Sequence, residues 1–353
     1  MNRRTPMLLI SLGLMIVLAS CNPAGSGSGP LPAPVPPTAI PLPTATAAPS
    51  DAGPVLSIEV RDATGAVIER TVDGNALRLT ARLTGGADTN TPVSFALGEA
   101  VPALAACTIA AGADECTAAV RADGWAWEER RLIGLRTVAA TTGDGERAEA
   151  IIALTPKPLV LVHGLNSNHR SWTNWIKPDG YLAEIGMPGY AVDDGQFGTR
   201  QMNTGDPGKP LDGTSSIAQN AQVLAEYVEA VRAGTGAERV DLVGHSLGGL
   251  ISRYYVQNLM PLVQVNGLED VPAVNQLVMA GTPNAGTACG RIPAALGLFA
   301  PATMQITPEY LAQVFNPAVN DRRGVPFFAL AGDAVKDKVA IRCTELPTDR
   351  YVS

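Results

Sequence analysis

The sequence predicts an α/β protein, a mostly parallel sheet flanked by helices, preceded by a small all-β sandwich. Three observations predict it. Continuous apolar runs at 159–162, 240–243, 277–280 and 327–331 read as strands buried on both faces, as a covered parallel sheet requires. Between the first two, Ile217, Ala221, Leu224, Val228 and Val231 step by four and three, which traces one face of a helix. Upstream, residues 55–154 alternate with period two and show no helical stretch.

In that upstream part Leu56, Ile58 and Val60 point one way and Ser57, Glu59 and Arg61 the other. Leu77, Leu79, Ala81 and Leu83 repeat the pattern, as do Ala148, Ala150, Ile152 and Leu154. Turn signals at 62–65, 73–75 and 143–145 separate these runs, as in a sandwich of short strands. The segment around Cys107-Thr108-Ile109 and Glu115-Cys116-Thr117 resembles bacterial immunoglobulin-like domains, which implies a spacer or stabilising module. Trp125 and Trp127 occupy alternate positions that would share a face, the geometry of a sugar platform.

The N-terminus reads as an export signal: Arg3 and Arg4, an apolar run from Met7 to Ala19, then Leu18-Ala19-Ser20-Cys21. The last four residues resemble a bacterial lipobox, which implies cleavage before Cys21, lipidation of Cys21, and an exported, membrane-anchored protein. The expected organisation is a signal at 1–20, a Pro/Ala/Thr-rich tether at 21–54, the sandwich at 55–155 and the α/β part at 156–353. A net charge of −7 without a basic patch excludes nucleic acid as partner. Four further cysteines in an exported chain favour disulfides: Cys107 with Cys116 as a hairpin staple, and Cys289 with Cys343.

The chemistry concentrates at Val240-Asp241-Leu242-Val243-Gly244-His245-Ser246-Leu247-Gly248-Gly249. An apolar strand runs into Gly-x-Ser-x-Gly and then a helix. That order puts the serine at the tip of a sharp turn, which Gly244 and Gly248 permit. Three more features stand in order around it: Leu161-Val162-His163-Gly164-Leu165, Ala280-Gly281-Thr282-Pro283-Asn284-Ala285-Gly286, and a late Asp after another strand. Together they make residues 158–353 resemble the α/β-hydrolase superfamily. The likeness is greatest to lipases and esterases with a His-Gly oxyanion loop, and the opening also resembles inositol-deacylase-like hydrolases. The resemblance implies Ser246 as nucleophile, the backbone N–H groups of Leu165 and Leu247 as oxyanion donors, and a lipid or ester as substrate. It gives His163, Gly164, Gly244, His245 and Gly248 supporting places, with His163 bracing the oxyanion loop and His245 turned away from the hydroxyl.

The triad acid expected from the resemblance is Asp349, in Thr348-Asp349-Arg350-Tyr351-Val352-Ser353, with Asp333 as the alternative. The three histidines, His163, His169 and His245, all precede Ser246. In this fold the base follows the acid, so the expectation is a chain cut short before its base. No cofactor is expected. Asp193 and Asp194 are the one pair offered as oxygen ligands for calcium. His169, Phe197 and Met202 are placed near the site mouth, and 284–324 as a cap or a helical layer packed on the sheet. The expected function is ester hydrolysis through an acyl-serine. Lipid acyl transfer and polyester depolymerisation are alternatives on the same fold, and a catalytically dead, surface-anchored binding protein is the alternative of another class.

Overall fold

The computed structural model describes residues 55–98, 103–206, 213–287 and 300–331. Cys21, Cys289, Asp333, Cys343 and Asp349 lie outside the described residues, as do the leader and tether.

The period-two segment forms two facing sheets. The first comprises β1 (Leu56–Asp62), β3 (Ala76–Leu83) and β6 (Glu115–Arg121), side by side in that order. The second comprises β2 (Arg70–Val72), β4 (Thr91–Leu97), β5 (Ala105–Ile109), β9 (Leu135–Thr142) and β10 (Arg147–Thr155). Its strand order is β2–β10–β9–β4–β5. A two-strand ribbon, β7 (Trp127–Glu128) and β8 (Arg131–Leu132), stands apart. The alternation is the reason for the packing: Leu77, Leu79, Ala81 and Leu83 are buried on one face of β3, against Phe95, Ile109, Val138 and Ile152.

Two expectations change here. The Cys107–Cys116 disulfide forms, but it does not staple a hydrogen-bonded hairpin. Its cysteines lie on β5 and β6, which belong to different sheets, so it ties the two layers at their edges. Trp125 and Trp127 do not share a platform. Trp125 is in the core at 4% exposure while Trp127 is at 37%, because the chain turns between them instead of running on as a strand.

The α/β part carries a parallel sheet. Its strands are β11 (Leu159–Val162), β12 (Gly189–Ala191), β13 (Val240–His245), β16 (Val274–Ala280) and β17 (Phe327–Leu330). They stand in the order β12–β11–β13–β16–β17. A small ribbon, β14 (Leu262–Val263) with β15 (Val271–Pro272), precedes β16. From β11 the chain crosses to β12 on one side, then returns to β13 on the other. The crevice between the C-terminal ends of β11 and β13 is therefore the topological switch point, where sheets of this kind bind ligands.

Helix α1 (Ile217–Thr235) starts at a capping box made by Ser216 and Gln219 and stops at Gly236 in the left-handed region. Its Ile217, Ala221, Leu224, Val228 and Val231 face the core, with Leu242, Leu277 and helix α2 (Leu247–Asn258). On the other sheet face Trp172 and Leu182 cover Leu161 and Ala191. The apolar run at 327–331 is not buried on both faces: among the described residues β17 is the edge strand, Phe327 packs on the core, and Phe328 and Leu330 are exposed.

The candidate cap divides. Leu296, Leu298 and Phe299 lie outside the described residues. Ile306 and Leu311 pack into the same core as α1, with Tyr310 against it, so this stretch is a layer on the sheet. Phe197 and Met202 also belong to that core and not to a site mouth. The Phe197 ring lies 5.7 Å from that of Tyr227 on α1, since an aromatic ring gains more by packing there than in solvent.

Candidate active site

Ser246 occupies the turn between β13 and α2, with φ 53° and ψ −124°. A non-glycine residue rarely holds that conformation, which costs on the order of 1–3 kcal/mol and persists only where the surroundings enforce it. The Ser246 N–H donates to the Ala280 carbonyl at 2.9 Å, and its own carbonyl accepts from the Gly249 N–H at 3.0 Å. The neighbouring glycines remove side chains that the turn could not contain. A Cβ built on Gly244 would lie 2.6 Å from the Gly249 backbone, and one on Gly249 2.0 Å from Thr282 Oγ1.

The His163–Leu165 loop lies directly on the serine. A Cβ on Gly164 would sit 2.9 Å from Ser246 Cβ and 3.4 Å from Ser246 Oγ, so only a glycine lets the backbone come this close. Leu247 is the first residue of α2, where backbone N–H groups have no partner within the helix and the helix dipole favours negative charge. Thus Ser246, Gly164 and Leu247 converge at the ends of β11 and β13.

His163 is 1% exposed and hydrogen-bonds through Nε2 to Asp193 Oδ2 at 2.8 Å. Asp193, at φ 75°, also accepts from the Met202 N–H. The pair fixes the strand end from which the Gly164 loop departs. His245 packs edge-on beneath Trp172, ring centroids 6.5 Å apart, and burial pushes its pKa down. His169 opens a short helical turn further along the same loop, where burial and Arg170 push its pKa down despite Asp194 and Asp193 nearby. The two aspartates expected as calcium ligands are both engaged by protein partners. Asp193 serves His163 and Met202, while Asp194 accepts from the Tyr227 hydroxyl and from Gln196. Among the described residues no group of His, Cys, Asp or Glu is arranged to hold a metal.

Three residues have local roles that their motifs do not disclose. Asp193 is read from the sequence as a calcium ligand, and nothing in its spacing announces His163 as its partner. Thr282 fills the space opened by Gly249, with its Oγ1 buried and without a hydrogen-bond partner. Arg253 on α2 donates to Asn284, Asn316 and the Val319 carbonyl, tying the segment after β16 to the helix.

This strand, turn and helix, with a loop folded onto the turn residue, has counterparts among known proteins. Residues 157–284 match the family of the alpha/beta hydrolase fold. The match begins beside β11 and ends beyond Gly281, so it contains the turn at Ser246, the His163–Leu165 loop and the Gly281-Thr282-Pro283 segment. A triacylglycerol lipase of Burkholderia plantarii is 33% identical over 140 residues, which are 38% of this chain and 35% of that protein. A triacylglycerol lipase of Pseudarthrobacter phenanthrenivorans is 36% identical over 106 residues, 29% of this chain and 28% of that protein. The chain thus spans about a third of the length of these relatives. A solved carboxyl esterase of Bacillus coagulans aligns with 46% of this chain and 45% of its own, at 16% identity and a TM-score of 0.26.

Proposed function

We propose that this chain is a serine ester hydrolase of the lipase/esterase kind, with Ser246 as nucleophile. The observation that carries the reading is the strained turn at Ser246 with Gly164 packed against its hydroxyl. In the proposed reaction a general base takes the proton of Ser246 Oγ as the oxygen attacks the ester carbonyl, and later delivers it to the departing alcohol. The N–H groups of Leu165 and Leu247 stabilise the oxyanion. The alcohol leaves, and water then releases the acid from the acyl-serine. The names of the two lipase relatives support a lipid or other carboxylic ester as substrate. The acid belongs to the C-terminal Asp349, or to Asp333. The Leu18–Cys21 lipobox supports attachment to a membrane surface through a lipidated Cys21; lipid labelling abolished by Cys21→Ser tests that part.

A fluorophosphonate probe tests the chemistry. Ser246 is expected to be modified, and Ser246→Ala, with an unchanged circular dichroism spectrum, to lose the modification. Transfer of the acyl group to an added alcohol in preference to water would move the reading to an acyltransferase, and release of monomers from a solid polyester to a depolymerase. Full-length, His-containing protein that never labels at Ser246 favours the second reading, a catalytically dead, surface-anchored binding protein. That reading draws on the engagement of His163 Nε2 with Asp193 and of the His245 ring with Trp172.

A further inference from the structure

The sandwich and the α/β sheet meet in a seam of buried charge. Lys157, 6% exposed and two residues before β11, donates from Nζ to Asp73 and to Asp123, each at 2.6 Å. Its stem lies along the turn before β3: a Cβ on Gly74 would meet Lys157 Cε at 2.6 Å. Arg239, immediately before β13, reaches Asp123 at 3.4 Å and donates to the Pro272 carbonyl at 3.0 Å, at the foot of β16. Glu238 accepts from Arg121 Nη1 at 2.6 Å and from the Ala76 N–H at 3.0 Å. Asn75 closes the seam in both directions, donating to the Gly236 carbonyl and accepting from the Glu238 N–H, each at 2.8 Å. Beyond the charges, a Cβ on Gly267 would lie 3.5 Å from Ala119 of β6, and one on Gly186 3.1 Å from Leu132 of β8.

These contacts share a location. Lys157, Arg239 and the Pro272 carbonyl stand at the N-terminal ends of three adjacent parallel strands, β11, β13 and β16. Gly164, Ser246 and Gly281 stand at the C-terminal ends of the same strands. Three cations, Lys157, Arg121 and Arg239, meet three anions, Asp73, Asp123 and Glu238, and all four ion pairs among them cross between the two parts. Charges taken out of water are tolerated only when paired and hydrogen-bonded, and removing one partner strands the other. A surface built for free movement does not bury a lysine at 6% exposure. Linked domains move relative to one another by default unless a large, hydrophobic interface holds them. Here paired charge takes that place, because separating the parts would leave Lys157 and Asp73 without each other.

From this seam we infer that the sandwich is a fixed brace, docked on the foot of the α/β sheet and opposite its candidate site, and not a freely moving spacer or binding module. The two parts are one cooperative unit, and the partner that this face of the sandwich fits is the chain's own sheet.

The four tryptophans divide two and two, Trp125 and Trp127 in the sandwich, Trp172 and Trp175 in the α/β part, so each part can be followed separately. Trp172→Phe/Trp175→Phe reports on the sandwich and Trp125→Phe/Trp127→Phe on the sheet. Urea unfolding of the full chain is expected to give coincident midpoints for the two reporters. Lys157→Met is then expected to shift the sandwich reporter, and Asp73→Asn the sheet reporter, with the unfolding equilibrium constant rising about a hundredfold. Where Lys157→Met does not fold, Glu238→Gln, whose amide oxygen can still accept from Arg121 and the Ala76 N–H, is read in the same way through the sandwich reporter. Different midpoints in the parent, or a shift confined to the part that carries the substitution, or no shift at all, overturns the brace.

Discussion

Ser246, like Asp193 at φ 75°, holds a backbone conformation that its own side chain disfavours. An L-residue at φ 53° and ψ −124° is strained, and glycine is not. Ser246→Gly is therefore expected to be about 1 kcal/mol more stable than Ser246→Ala, measured by urea unfolding. Equal stabilities would show that the turn stores no strain. Gly164 presents the opposite case, since its constraint is space. Gly164→Ala places a methyl 2.9 Å from Ser246 Cβ and from the His245 carbonyl, so the loop must back away. An oxyanion donor is worth about 2.7–4 kcal/mol in the transition state. Labelling of Ser246 by a fluorophosphonate is accordingly expected to slow by about tenfold or more in Gly164→Ala while the fold persists. Asp193→Ala removes the buried acceptor of His163, and the unsatisfied ring is expected to cost about 1–3 kcal/mol of stability in the same urea experiment.

At the scale of elements, the disulfide joins β5 to β6, and so one sheet of the sandwich to the other. It closes a loop with a sequence separation of 9, for which chain entropy gives about 2.5 kcal/mol. Reduction is expected to lower sandwich stability by about that amount, read as the difference between urea midpoints with and without dithiothreitol. The cysteine spacing suggests a hairpin because nearness in sequence says nothing about which sheet a strand joins. Elsewhere, strands form at the four apolar runs and α1 follows its four-and-three stepping, because both patterns record which side chains leave water. The edge position of β17 is not legible in the same way. Strand order is a long-range property, and Phe328 and Leu330 at the edge are as apolar as Leu242 and Val243 in the central strand β13. The elbow is legible because Gly244, Gly248 and Gly249 are local steric requirements. The engagement of Asp193 and Asp194 is not, since His163 lies 30 positions from Asp193 and Tyr227 lies 33 from Asp194.

For the molecule as a whole, the seam between its two parts makes acid stability depend on particular carboxylates. Burial pushes the Asp123 carboxyl up, but the hydrogen bond and charge of Lys157, with Arg239 and Arg121, outweigh burial and hold it below the ordinary value of 3.8. The unfolded chain therefore takes up its proton at Asp123 before the folded chain does. The contribution is fully present above pH 3.8 and is lost as pH falls through the lower folded value. Asp194 and Asp241 act in the opposite sense: burial raises both, so their contribution is present in acid and is lost as pH rises through their folded values. A bare acid titration would mix these effects. The stability difference between the parent and Asp123→Asn removes the terms the two proteins share. That difference is expected to be constant from pH 7 down to about 5 and to shrink steadily below pH 3.8. High salt is expected to reduce it less than it would a surface pair, because Lys157 is withdrawn from solvent even though Asp123 is half exposed. A difference that is absent at pH 7, or that grows in acid, would mean that Asp123 is not held by Lys157 and that the seam is looser than its distances imply.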